Sequence, residues 1–168
     1  MIELVNIEKR FGNKRVLRNI NLNLQEGKVY GLFGPNGVGK TTLLKIMAGY
    51  NKKTSGEYKI NGLDFTYENK DHITFISDKE IFYGWMKIKD AVKYYKDFFT
   101  DFDEEKCLRL VKMMKLEADD KINVLSKGMK ARLKVALAIS RNAKLYLLDE
   151  PLGGLDPVSR KIILDTIK

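Results

Sequence analysis

The sequence predicts an α/β fold, with a mainly parallel sheet, an antiparallel β region before it and a helical segment inserted within it. Three observations carry that prediction. Near-alternating apolar residues open the chain, and an apolar run then stops at a glycine-rich loop that leads into a helical stretch. Much later a second short apolar run, Leu145 to Leu148, ends in two carboxylates. Strand, loop, helix and a further buried strand is the order in which α/β sheets are built.

Each element follows from its local pattern. Ile2, Leu4 and Ile7 nearly alternate, and Ile20, Leu22 and Leu24 alternate cleanly up to Glu26-Gly27, so both stretches read as half-buried strands. Val29 to Phe33 is a continuous apolar run and reads as a strand; after Gly34, Leu43, Leu44 and Met47 share one face of a helix that Gly49 ends. Gly56 to Gly62, with Tyr58 and Ile60 alternating, is a short hairpin piece, and Ile73 to Ile76 is another strand. From Lys87 to Lys115 the period becomes helical: Ile88, Val92, Tyr95 and Phe99 form one stripe, and Leu108, Val111 and Met114 a second. Lys130 to Ser140 repeats that period through Leu133, Ala136, Leu137 and Ser140, and Leu145 to Leu148 belongs at the centre of a parallel sheet. Val158 to Lys168 is helical in character and carries no stop signal.

Composition bounds the rest. The chain has 168 residues, 44% of them hydrophobic, which suffices for one domain with a sizeable core. A net charge of +9 favours an anionic partner: nucleotide, nucleic acid or acidic lipid. With three prolines and no low-complexity tract, the chain is neither disordered nor collagen-like. One cysteine, Cys107, excludes an intramolecular disulfide and suits a reducing compartment. Neither a signal-peptide pattern nor a membrane-length apolar run occurs, so a cytosolic chain that reaches a membrane by docking is expected.

Three motifs carry chemistry. Gly34-Pro35-Asn36-Gly37-Val38-Gly39-Lys40-Thr41 matches G-x-x-x-x-G-K-[ST] at a strand-to-helix junction, the signature of a P-loop NTPase core. Its glycines let consecutive N–H groups face one anion, Lys40 reaches the β- and γ-phosphates, and Thr41 ligates Mg²⁺. Asp149 and Glu150 stand at the C-terminal mouth of a buried strand, where doubly wound sheets bind ligands. There Asp149 would hold Mg²⁺, and Glu150 would orient and deprotonate a water attacking the γ-phosphate. Taken alone, that pair also reads as a strand leaving the core into a solvated turn. Leu125-Ser126-Lys127-Gly128-Met129 places a capping serine and a close-approach glycine before a helix. The plainer reading is an ordinary capped helix with a solvated basic face of Lys127, Lys130, Arg132 and Lys134.

Together, GPNGVGKT, LSKGM, LYLLDE and the following PLGGLDP resemble the ATPase subunit of ABC (ATP-binding cassette) transporters, in order and spacing, over essentially the whole chain. The resemblance implies a single ATPase domain over 1–168, incomplete at its C-terminal end, with a helical subdomain at about 79–125. It implies ATP and Mg²⁺ as ligands, with Asn36, Gly37, Val38, Gly39, Lys40, Thr41 and Thr42 cradling the triphosphate. Lys40 and Glu150 are implied to be catalytic, with Glu150 the base, and Thr41 and Asp149 to hold the metal. Phe11 matches the aromatic that stacks on adenine, the alternative being a core phenylalanine. Ser126, Lys127 and Gly128 match the signature that reaches the γ-phosphate bound to the opposite subunit, and Asp156 matches the loop that communicates between subunits. Partners so implied are ATP or ADP, a second ATPase subunit in a homodimer or heterodimer, and a transmembrane permease; no nucleic acid is expected. The location implied is cytoplasmic, on the inner face of the cell membrane.

Three departures stand out. Lys127 and Met129 replace the usual third and fifth residues of LSGGQ, a form that looks like exporter-type ATPases encoded apart from their permeases. Where the family has a metal-sensing glutamine after the strand Ile73 to Ile76, the chain offers Ser77-Asp78, making Asp78 a candidate metal ligand. The family's switch histidine would lie beyond Lys168; the sole histidine, His72, reads as a strand-flanking residue, and poor hydrolysis by these 168 residues is the expectation. Tyr83, Trp85 and Met86 form an apolar group where the family docks permease helices, or else a local buried cluster. The leading reading is a transport ATPase. A non-transport ABC ATPase acting on ribosome or DNA is the alternative, with neither a second phosphate loop nor sustained heptads to favour it. A metabolic kinase would leave LSKGM without a reason.

Overall fold

The computed structural model of the chain describes residues 1–77, 79, 82–153 and 155–167. They form two units, Met1–Lys70 and Asp71–Lys168. In the first, β1 (Ile2–Phe11), β2 (Lys14–Leu24), β3 (Ser55–Ile60) and β4 (Leu63–Asp64) make an antiparallel sheet in the order β2-β1-β3-β4. The imperfect alternation of β1 has a structural cause. Asn6 adopts φ +51° where the register with β2 slips between Leu4 and Ile7, and this bulge returns Ile7 to the buried face that Leu4 already occupies. Asn tolerates that left-handed backbone better than most residues.

The buried face of this sheet carries Leu4, Ile7, Leu17 and Tyr58, and α1 (Lys40–Met47) buries Leu43, Ile46 and Met47. Leu44, expected on that stripe, is only half-buried, because at 100° per residue Ile46 lies nearer the axis of the face. Tyr58 ties sheet to helix: its hydroxyl donates to the Met47 carbonyl at 2.9 Å, and its ring stacks on Phe65 with centroids 4.6 Å apart. The hairpin piece expected at Gly56 to Gly62 is the β3–β4 hairpin.

One expected strand is absent from this unit. Val29 to Phe33 forms no ladder, and Phe33 is 93% exposed. An apolar run becomes a strand only when neighbours take up its N–H and C=O groups. The chain leaves β2 through the Glu26-Gly27 turn without folding back along it, so the antiparallel sheet supplies no such neighbour.

In the second unit β5 (Ile73–Ile76) pairs in parallel with β6 (Leu145–Leu148), Ile73 opposite Leu145 through to Ile76 opposite Leu148. Among the described residues β6 is thus one of two strands rather than the sheet centre expected, and Tyr146 on it is exposed. The helical segment consists of α2 (Ile88–Phe98) and α3 (Glu104–Met113), followed by α4 (Lys127–Ile139) and, after β6, α5 (Pro157–Ile167). Ile88, Val92, Val111, Met114, Leu133 and Ile163 join one apolar cluster. Cys107, not the expected Leu108, begins the buried stripe of α3, while Leu108 faces outward. Asp103 starts α3 by accepting the Lys106 N–H at 2.8 Å, which sets its helical phase.

Arg141 fastens the helical segment to the sheet. Its guanidinium donates to both Asp101 oxygens (2.9 and 3.1 Å) and to the carbonyls of Asp71 and Ile73 (2.5 and 3.3 Å), and it lies 4.0 Å from the Phe99 ring centroid. Among the described residues no helix is long and apolar enough to cross a membrane.

Candidate functional site

The glycine-rich loop belongs to the first unit. Gly37 (φ +78°) and Gly39 (φ +107°) take left-handed backbone that side chains resist. Gly39 is also the N-cap of α1 and carries no side-chain cap. A Cβ there would lie 2.7 Å from Leu17 Cδ2 and 3.2 Å from Val16 Cγ1, so β2 closes on the start of the helix and only glycine fits. The consequence is a helix end, with its positive partial charge, that no capping side chain covers. Lys40 folds back over the loop, donating from Nζ to the carbonyls of Gly34 (2.7 Å) and Pro35 (2.9 Å). Its ammonium therefore already sits within the loop. Asn36 and Val38 are exposed, and Thr41 and Thr42 lie half-buried in the first turn of α1.

Phe11 ends β1 beside the Gly12-Asn13 turn and is 49% exposed, with Lys9 Nζ 4.6 Å from its ring centroid. A core phenylalanine it is not.

The carboxylate pair belongs to the second unit. Asp149 continues the parallel ladder, its N–H donating to the Ile76 carbonyl at 2.9 Å, and it is 4% exposed. Glu150 turns away at φ +49° and is exposed, its carbonyl accepting the Gly153 N–H at 3.0 Å. Left-handed backbone at a glutamate costs about 1 kcal/mol and persists only where surrounding structure demands it. Neighbours in sequence, the two carboxylates have opposite surroundings: one held at the sheet edge, the other presented on a turn.

Ser126 caps α4, its Oγ accepting the Met129 N–H at 3.2 Å, so the helix begins at Lys127, earlier than the expected start near Lys130. Lys127 is exposed and Gly128 buried. The solvated basic face does not form as such: Arg132 donates to the Met114 carbonyl at 2.7 Å, and Lys134 Nζ to the carbonyls of Ser77 (3.3 Å) and Lys79. Asp156 precedes α5 and is brought against Gly128. Ser159 donates to it twice, N–H to Oδ1 at 2.9 Å and Oγ–H to Oδ2 at 2.6 Å, and these bonds hold the Asp156 carboxyl below its ordinary range.

Asp78 lies outside the described residues. His72 is exposed and accepts the Lys144 N–H on its carbonyl at 2.8 Å, in keeping with a strand-flanking role. Tyr83 and Trp85 point outward with parallel rings 6.0 Å apart, Trp85 being 69% exposed, whereas Met86 is buried. Among the described residues no three histidine, cysteine or acidic side chains gather as a metal site. Arg141 and Ser159 were not legible as participants in the sequence; Ser159 had one signal, its position three residues after Asp156 at a helix start.

The sequence profile of the ABC transporter family matches residues 17–153. The chain belongs to the ABC transporter family. The cassette is 34% identical over 173 residues to YdbJ, an uncharacterized ABC transporter ATP-binding protein of Bacillus subtilis, covering 100% of this chain and 56% of that protein. It is 34% identical over 170 residues to SrtF, a lantibiotic transport ATP-binding protein of Streptococcus pyogenes, covering 100% of this chain and 74% of that one. The chain thus spans little more than half the length of the first of these relatives. Among solved structures it matches the dimeric form of MJ0796, a bacterial ABC transporter cassette, with a TM-score of 0.85 and 27% identity over 99% of this chain and 81% of that one. The same cassette, in a post-hydrolysis state bound to ADP and Pi, matches with a TM-score of 0.85. The cassette therefore has the α/β fold of P-loop NTPases, with an antiparallel N-terminal sheet, a parallel sheet and helices.

Proposed function

We propose that this cassette binds and hydrolyses ATP as the ATP-binding subunit of an ABC transporter, closing on a second subunit around two nucleotides to drive a separate membrane permease. One observation carries the reading: the glycine-rich loop ends on an α1 start that has no capping side chain, with Lys40 Nζ already folded over the loop. A triphosphate suits that arrangement, since it exchanges two neutral carbonyls on Lys40 for a charge-assisted contact and meets the helix end.

In this reading Asn36 to Thr42 cradle the phosphates and Phe11 offers an exposed ring to the adenine. The Thr41 hydroxyl in the first unit and the Asp149 carboxylate in the second are each a hard oxygen donor of the kind Mg²⁺ takes. Mg²⁺ bound with the nucleotide would neutralise charge on the β- and γ-phosphates. Glu150 accepts the proton of the attacking water from its place on the turn after Asp149. Ser126, Lys127 and Gly128 meet the γ-phosphate held by the opposite subunit, and Asp156 serves communication between the two. The whole chain acts as one ATPase domain, with 79–125 as its helical subdomain, on the inner face of the membrane. The lantibiotic-transport relative and the LSKGM signature favour an exporter.

Glu150→Gln tests it. That variant should bind ATP as the unsubstituted chain does, and should run as a dimer in gel filtration at saturating ATP and Mg²⁺, because loss of the base blocks hydrolysis while the phosphates still join two subunits. A monomer under those conditions refutes the dimer reading.

A further inference from the structure

Outside the glycine-rich loop and the carboxylate pair, two motifs of the same chain pack closely on one another. A Cβ at Gly128 would stand 2.7 Å from Ser159 Oγ, 3.1 Å from Asp156 Oδ2 and 3.4 Å from Ser159 Cβ. Gly128 lies in the first turn of α4 and Ser159 in the first turn of α5. Both are buried, Ser159 to 2% exposure. Ser159 engages both oxygens of Asp156 through its own N–H and hydroxyl. The Arg160 guanidinium adds a third restraint from the same turn, donating to the Leu155 carbonyl at 3.0 Å, while the Arg160 N–H donates to the Asp156 carbonyl at 3.1 Å.

Two consequences follow. The carboxylate of Asp156 is committed within its own chain, so it is held in one orientation rather than swinging free toward a second subunit. And glycine at 128 is demanded by packing against α5, quite apart from any approach of a phosphate.

We propose that Ser159 is a positioning residue which locks Asp156 against Gly128, so that the signature turn and the inter-subunit loop move as one rigid piece. The inference rests on the ATP-driven dimer proposed above. When the signature turn of one subunit shifts to meet a γ-phosphate, the loop that faces the other subunit is carried with it. A serine there does what no alanine could: its backbone N–H alone leaves one carboxylate oxygen unheld.

The test combines kinetics with a double-mutant cycle on the full chain. Ser159→Ala should leave KM for ATP within about twofold while lowering kcat roughly tenfold, as a small misplacement of a positioning group does, and should bring the Hill coefficient for ATP toward one. Gly128→Ala alone should lower the urea midpoint of unfolding, since its methyl meets Ser159 Oγ. Gly128→Ala combined with Ser159→Ala removes that contact and should recover at least half of the midpoint, a plainly non-additive pair. Additive midpoints, or Ser159→Ala with unchanged kcat and Hill coefficient, overturn the proposal. Absence of ATP binding by the unsubstituted chain would instead overturn the functional reading; the unfolding cycle, which needs no nucleotide, still decides the Gly128–Ser159 contact.

Discussion

At the scale of single residues, the candidate site is built from backbone that other residues would refuse. Gly39 combines φ +107° with a Cβ position already taken by Leu17, and Glu150 occupies left-handed space without being glycine. The first makes a helix end accessible; the second turns a carboxylate off the line of its strand. Lys40 Nζ donates to two neutral carbonyls, which a phosphate outbids. Lys40→Ala should therefore weaken ATP binding by about 10- to 100-fold, the equivalent of a charge-assisted hydrogen bond. Isothermal titration with ATP and Mg²⁺ measures it, and an unchanged affinity would remove the phosphate-loop assignment.

At the scale of elements, two buried polar groups of the second unit have different chemistry. Arg141 gathers Asp101, the Asp71 and Ile73 carbonyls and the Phe99 ring, so Arg141→Ala leaves Asp101 and two carbonyls without their cation. A loss of roughly 3 kcal/mol in urea unfolding is expected, with ATP affinity of the loop in the first unit unchanged. Cys107 is the other group. Burial between α3 and its neighbours pushes its thiol up to about 11, a hydrogen bond with Ser140 working weakly the other way. The folded chain thus keeps this proton at a pH where the unfolded chain has released it. The contribution is fully present below about pH 9 and is lost as pH rises toward 11, on the order of 2 kcal/mol. Unfolding curves at pH 8 and pH 11 should show that fall, and Cys107→Ala should flatten it.

At the scale of the whole molecule, the prediction concerns assembly. Tyr83 and Trp85 present two stacked rings outward, next to buried Met86, so the outer pair can be changed without opening the core. If the chain drives a permease as proposed, Trp85→Glu should impair co-purification with it while ATP affinity and the urea midpoint stay within error. A fall in the midpoint with assembly intact would mean that the indole serves the fold instead.

Much of this was legible in the sequence because it depends on local covalent and steric rules. Glycine spacing reports where backbone must turn, and a period of two or 3.6 reports which face is buried; so β1, β2, β5, α2 and the glycine-rich loop could be placed from neighbours alone, and α4 to within a turn of its start. Tertiary structure decided whatever needed a partner distant in the chain. Val29 to Phe33 has the composition of a strand, yet a strand exists only in a ladder, and the sheet of its own unit offers none. Arg132 and Lys134 have the pattern of a solvated face, yet carbonyls of Met114 and Ser77 take their donors. Gly128 reads as room for a phosphate, and only the approach of α5 reveals Ser159 filling the space where its side chain would be. Sequence patterns encode which conformations a residue permits; long-range packing chooses among them, because the hydrogen bonds and excluded volume that settle the choice belong to residues far away in the chain.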